Sequence, residues 1–285
     1  MKKILMVLLS VFMLAGCSTK FTYKNFDWLI YWYLDDYIEF TDEQEATFDK
    51  HLHNWLIWHK STEMPKYLAH LDEVIADLGS QQMSFERILY HRHKARAHWE
   101  RIRAHISSDL VDMAMSLNDK QVDEFFIALA EKLEEEQEEL ADELAKTASR
   151  QQNNWFKAFK DDASDWIGRL NDEQKQFVKN SYSSFLPSRQ LWLDYYKDYQ
   201  AVLKQAFLGR QNEAVFKAEL YELINNPEQY RSEALVDVFE KNAHAKVSML
   251  LTVLTLSSEK QQNKLVKEIG EYRQDVIDLI EWEVK

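Results

Sequence analysis

Apolar positions recur along most of the chain at steps of three and four. No Gly or Pro occurs between Gly79 and Gly168. Within that stretch Phe85, Ile88, Ala95, Trp99, Ile102, Ile106, Leu110 and Met113 form one stripe, and Val122, Phe126, Leu129, Leu133, Leu140, Leu144, Trp155 and Trp166 form a second. Such steps stack side chains on one face of an α-helix, and strand-like alternation is absent from the sequence. The pattern predicts helices over 22–38, 43–60, 66–78, 84–116, 119–168, 172–185, 189–208, 210–225, 228–255 and 258–283. A single helix over 119–168 would reach about 75 Å at 1.5 Å per residue. The amide run Gln151–Asn154, which carries no apolar signal, marks where it could break.

A short repeat marks several predicted helix starts. Phe40-Thr41-Asp42-Glu43-Gln44, Leu117-Asn118-Asp119-Lys120-Gln121 and Leu170-Asn171-Asp172-Glu173-Gln174 share one plan, and Leu256-Ser257-Ser258-Glu259-Lys260 is a looser copy. The polar second residue can accept a bond from a free N–H of the first turn, and the Gln three places on can bond back. The copies are too irregularly spaced for a solenoid. Pro65, Pro187 and Pro227 fall at or near predicted starts, where a missing N–H costs little. The expected fold is all-α: an elongated multi-helix bundle with long antiparallel helices, in one or two lobes, with residues 84–168 central.

The N-terminus reads differently. Lys2 and Lys3 precede an apolar run from Ile4 to Leu14, which ends in Leu14-Ala15-Gly16-Cys17. This is the layout of a secretory signal, and the run is too short to span a bilayer core of about 30 Å. Leu14–Cys17 resembles the lipobox of bacterial lipoproteins. The resemblance implies removal of residues 1–16 and diacylglycerol on Cys17, leaving residues 17–285 as a lipid-anchored all-α domain. Ser18 in place of Asp implies sorting to the outer membrane, with the body facing the periplasm. Cys17 is the one cysteine in the chain, so no intramolecular disulfide can form.

Composition narrows the function. The net charge is −13, from 35 basic and 48 acidic residues, the wrong sign for neutralising phosphates, so no nucleic-acid partner is expected. No nucleophile elbow, phosphate-binding loop, dinucleotide fingerprint or His-Glu-x-x-His occurs. Glu240 and His244, four apart, supply at most half a metal site. No catalytic residue, cofactor or metal is therefore assigned.

Eight of the nine histidines lie between His51 and His105, and His91, His98 and His105 are seven apart on one predicted face. Arg87, Arg92, Lys94, Arg96, Arg101 and Arg103 surround them, whereas residues 119–146 are strongly acidic. The basic helix either packs antiparallel on the acidic one, binds an anionic partner, or senses periplasmic pH if its histidines meet cations or acids. The aromatic cluster Phe21, Tyr23, Phe26, Trp28, Tyr31, Trp32, Tyr33, Tyr37 and Phe40 follows the anchor. It is expected in the core, with the lipid headgroup zone as the alternative. Pro65 is expected to interrupt the helix before it, which would place Trp58, His59, Glu63 and Tyr67 at a helix end or loop, the candidate binding site.

Three blocks carry a family resemblance: Asp27-Trp28-Leu29-Ile30 with Tyr33-Leu34-Asp35-Asp36-Tyr37, then Trp58-His59-Lys60-Ser61-Thr62-Glu63-Met64-Pro65-Lys66-Tyr67, then Trp166-Ile167-Gly168-Arg169-Leu170 through Gln174. The chain resembles an uncharacterised family of bacterial helical lipoproteins, which implies an all-α lipoprotein and brings no known activity. The capped repeats are similar to the LTxxQ element of small periplasmic chaperones. The expected function is a non-catalytic outer-membrane lipoprotein that binds an envelope protein, as scaffold or chaperone, in an apolar groove between helices. The alternative is a small-ligand module or enzyme built on Trp58, His59 and Glu63.

Overall fold

The structure, a computed structural model, describes residues 18–80 and 82–283, so the signal segment and Cys17 lie outside it. Its helices are α1 (Ser18–Lys24), α2 (Phe26–Leu34), α3 (Asp42–Trp58), α4 (Met64–Gly79), α5 (Phe85–Met115), α6 (Asp119–Leu144), α7 (Ala148–Ile167), α8 (Asp172–Ser181), α9 (Arg189–Leu208), α10 (Glu213–Asn225), α11 (Glu233–Thr255) and α12 (Glu259–Glu281). A π-helical turn, His59–Glu63, joins α3 to α4, and 3₁₀ turns occupy Tyr182–Ser184 and Pro227–Tyr230. No strand occurs among the described residues.

The apolar stripes find one another pairwise: α4 packs on α12, α5 on α10, and α6 on α9. Val111, Leu117, Val122, Phe207, Phe216 and Leu223 form one buried cluster, and Ile167, Leu170, Val178, Met249 and Val253 another. Tyr23 of α1 joins Met64, Tyr67, Val276 and Leu279 in a third, which fixes the first helix to α4 and α12. Lys20 reinforces this with ion pairs to Asp275 at 3.0 Å and Asp278 at 2.5 Å.

The capping repeat works in pairs. Thr41 and Asn118 cap α3 and α6, each within a complete capping box. The two glutamines of these boxes also bond to each other. Gln44 Nε2 donates to Gln121 Oε1 at 3.1 Å, and Gln121 Nε2 donates to Gln44 Oε1 at 2.7 Å. Their remaining hydrogens reach Ser116 O and Glu39 O, at 2.8 and 2.7 Å. A one-way version recurs at α8 and α12, where Gln261 Nε2 donates to Gln174 Oε1 at 2.9 Å and to Arg169 O at 3.2 Å, while Gln174 Nε2 donates to Val253 O at 3.0 Å and Ser257 Oγ at 3.1 Å. Burial of these amides is tolerated because their donors and acceptors are used. In the last copy the box is Ser258–Gln261, one residue later than the sequence alignment with Lys260 suggests.

Two sequence expectations change. The helix expected over 119–168 is two helices, and the break falls at Ala145–Thr147 rather than in the amide run. Thr147 caps α7, while Gln151 lies inside α7 and donates back to Glu143 O and Lys146 O at 3.2 and 3.0 Å, closing the corner. The basic face of α5 is not matched to α6 either: its cations pair with Glu63, Glu73 and Asp77 of the preceding segment and with Glu228. Acids of α6 pair instead with Arg189 and Arg210 of the α9–α10 region.

Candidate functional site

The π turn and Pro65 correct the expected helix end. The helical path continues from α3 into α4, because Pro65 sits in the first turn of α4, where its missing N–H is not needed. The four candidate residues therefore lie along one helical path, with Glu63 and Tyr67 buried and Trp58 and His59 half-buried. Trp58 stacks face to face on His105, with ring centroids 3.8 Å apart and planes 9° from parallel. His59 lies between two phenols, with Nδ1 3.1 Å from Tyr23 Oη and Nε2 3.0 Å from Tyr67 Oη. Burial lowers the His59 pKa to about 4 against the opposing pull of Glu63, so the ring is neutral and one phenol donates while the other accepts.

Glu63 is fully buried, and both of its oxygens are occupied. Arg101 reaches it with Nε at 2.9 Å from Oε2 and Nη2 at 2.5 Å from Oε1, and Lys66 Nζ lies 3.0 Å from Oε2. Burial alone would raise the Glu63 pKa. The bonds from Arg101 and Lys66, joined by that from His98 when its Nδ1 carries a proton, outweigh it and hold the carboxyl at about 2.

From Glu63 a single file of side chains runs between α4 and α5. His98 Nδ1 lies 2.8 Å from Glu63 Oε1, and His98 Nε2 lies 3.1 Å from His70 Nδ1. His70 Nε2 is 3.1 Å from His91 Nδ1, and His91 Nε2 is 2.8 Å from Asp77 Oδ2, which Arg87 also grips. Glu63, His70 and Asp77 follow one another at seven-residue steps on one strand of the pair, as do His91 and His98 on the other. An antiparallel register interleaves the two sets, and the imidazoles lie nearly parallel, His70 at 20° to His91 and 28° to His98. The surrounding charged groups are Lys66 and Glu73 from α4 and Arg87, Lys94 and Arg101 from α5. Tyr67 closes the side with its ring edge-on to His98 at 4.6 Å.

Counting protons shows what this file can do. Arg101 Nη2 lies 2.6 Å from His98 Nδ1 as well as 2.5 Å from Glu63 Oε1, and it carries two hydrogens. With all three histidines neutral, Arg101 donates to His98 Nδ1, and the ring protons then point in series from His98 to His70, His91 and Asp77. Each contact in that series has its proton. One further proton placed on His98 Nδ1 makes the bond to Glu63 direct, without turning any ring, and deprives Arg101 of its imidazole acceptor. The file thus has two fully bonded states that differ by one proton. Burial lowers the pKa of His98 and lowers that of His70 to about 4, which favours the neutral state at neutral pH.

The histidine spacing on α5 was visible in the sequence. The matching heptad of Glu63, His70 and Asp77 was missed, although a comparison of charged or titratable residues at seven-residue steps in neighbouring segments would have found it. His105 lies apart from the file, on Trp58, and His244 packs 5.3 Å from Phe85. No group of three or more His, Cys, Asp or Glu able to hold a metal occurs among the described residues.

Two family models match the chain. Residues 1–18 match the prokaryotic membrane lipoprotein lipid attachment site, which makes this a membrane-anchored lipoprotein with Cys17 as its lipidated residue. No helix among the described residues is long and apolar enough to cross a membrane. No curated protein and no solved structure matches the chain. Residues 36–235, which include the helices that carry the histidine file, match a family of unknown function, DUF6279, and the chain belongs to that family.

Proposed function

We propose that the protein is an outer-membrane lipoprotein whose helical body, residues 17–285, faces the periplasm and binds another envelope protein as a non-catalytic scaffold or chaperone. The observation that carries this reading is an open groove between α5 and α10. Val111, Ala218 and Tyr221 line it together with Asp112, Lys217 and Glu222, and Lys217 of α10 pairs with Asp112 of α5 at 3.0 Å. Tyr221 is 43% exposed, as an anchor for an incoming apolar segment would be. A photoreactive residue in place of Tyr221 should crosslink a specific envelope protein in intact cells. Capture no greater than from a control position on the acidic face of α6 counts against the scaffold form. Failure of the purified protein to slow aggregation of unfolded periplasmic clients counts against the chaperone form.

The alternative built on Trp58, His59, Glu63 and Tyr67 is less well supported, because the polar side-chain atoms of His59, Glu63 and Tyr67 are engaged with one another or with Arg101, Lys66 and Tyr23, and the Trp58 ring is stacked on His105. A second reading draws on the histidine file: the body responds to acidification by loading a proton at His98, which loosens Arg101 from the contact between α4 and α5. Crosslinking from Tyr221 should then change over a window that lies below about pH 6.5, the ordinary histidine value, because burial lowers the His98 pKa. A yield independent of pH in that window removes this reading.

A further inference from the structure

Helices α1 and α2 turn one apolar stripe away from the protein. Phe21, Trp28 and Trp32 are 64%, 61% and 58% exposed. Their seven- and four-residue steps place them within about 40° of one line along a helix. The backbone bonds from Asn25 N to Phe21 O at 3.1 Å and from Leu29 N to Asn25 O at 3.0 Å carry the helical path across the junction. The opposite side is occupied: Tyr23 is buried on α4 and α12, and Phe26, Ile30, Tyr31 and Leu34 pack against Phe48, Leu52 and Met113. The outward stripe has no such cover.

We propose that Phe21, Trp28 and Trp32 form a face seated in the headgroup region of the bilayer that holds the lipidated Cys17. The occupant follows from position. Cys17 immediately precedes Ser18, the first residue of α1, so the acyl chains leave the polypeptide at the very start of the helix that bears Phe21. The stripe continues for about 16 Å from Phe21 to Trp32 at 1.5 Å per residue, long enough to lie along a membrane surface. Indole and phenyl rings favour that zone, where one side of a ring is apolar and the other wet. Exposed Lys24 stands at the flank of the stripe, about 60° round the helix from Phe21, with its ammonium 5.7 Å from the Trp282 ring, and offers a positive charge to lipid phosphate at the edge of the face. Asp35, Asp36 and Glu39, acids that anionic headgroups would repel, lie beyond the end of α2, past the last aromatic of the stripe. The anchor is therefore two-part, with acyl chains for attachment and an aromatic face for orientation.

The test uses the full mature lipoprotein, acylated at Cys17 and reconstituted into vesicles of phosphatidylethanolamine and phosphatidylglycerol, with or without brominated acyl chains. Bromine quenches tryptophan only at close range. Wild-type emission should be quenched by the brominated vesicles, and most of the quenched fraction should vanish in Trp28→Phe/Trp32→Phe. Both proteins stay on the vesicles through Cys17, so the difference reports the stripe alone. No quenching in wild type, or equal quenching in the two, overturns the proposal. Far-UV circular dichroism checks folding, and Trp28→Tyr/Trp32→Tyr replaces the first variant if its helicity is lost. The vesicles contain no other protein, so a stripe that serves a protein partner gives the overturning result.

Discussion

Glu63 Oε1 and His98 Nδ1 lie 2.8 Å apart, with Arg101 Nη2 within reach of both. The carboxylate can only accept and the guanidinium can only donate, so the imidazole nitrogen between them must choose. Without a proton it takes a bond from Arg101, and with one it gives a bond to Glu63. The protonation state of one atom therefore decides which of its two neighbours is held.

Glu63→Gln keeps the shape and removes the charge that Arg101, Lys66 and His98 share. Hydrogen bonds to charged groups contribute about 1.5–3 kcal/mol. The variant should be destabilised by roughly that amount, because Arg101 and Lys66 are partly exposed and recover some solvation. Urea denaturation should show a lower midpoint with an unchanged slope.

Stability should fall with acid in two stages. His59 and His70 have native pKa values of about 4, below their ordinary 6.5. The unfolded chain therefore binds more protons between these values, and the stability these rings contribute is complete above pH 6.5 and lost as pH falls toward 4. Glu63, lowered from 4.5 to about 2, adds a second loss between those two values. Thermal midpoints measured across the range should show a decline already below neutrality, and His70→Phe should make the first stage shallower.

The paired capping boxes should be energetically coupled. Gln44→Ala and Gln121→Ala each leave a cap N–H without its acceptor and strip the surviving buried amide of its bonds across the pair, at a cost of about 1–3 kcal/mol. Each change disables the same reciprocal contact, so the double variant should lose less than the two single losses added together. At the second pair the observed register can be checked directly: Gln261→Ala should destabilise, whereas the exposed Lys260→Ala should stay within about 0.5 kcal/mol of wild type.

Gly168 ends α7 with φ of +78°, a conformation L side chains rarely adopt, and a Cβ there would stand 3.5 Å from the Lys264 side chain. Space is adequate, so the cost of Gly168→Ala is conformational: φ of 78° with ψ of −159° is a region that essentially only Gly occupies, and the strain is about 1–3 kcal/mol. A drop in the thermal midpoint without loss of helical signal is the expected result.

Local features of this protein were legible in the sequence, and relations between segments were not. Helix starts at Thr41, Asn118 and Asn171 followed from capping chemistry that spans four residues. The corner at Ala145–Thr147 escaped because its lone Thr cap resembles any surface threonine, while the more conspicuous amides serve to close the corner from inside α7. Glu63 was singled out for its surroundings in the chain, yet its role depends on His98 and Arg101, 35 and 38 residues away. Neither the antiparallel register of α4 and α5 nor the π turn before them has a signature in composition. The outward stripe shows the same limit: the aromatic cluster is expected in the core, and nothing local distinguishes the exposed Phe21, Trp28 and Trp32 from Tyr23, Phe26 and Tyr31, which do pack there.

The π turn at His59–Glu63 has a mechanical consequence. A helix advances about 100° with every residue, so the wide turn acts as a phase adjuster between α3 and α4. It lets Trp58 meet His105 while Glu63 meets His98. Shortening this turn by one residue would leave every member of the file in place in the sequence and still rotate the two docking faces out of step. Indels here would therefore break the contacts of the file in a way that no substitution scan would reveal.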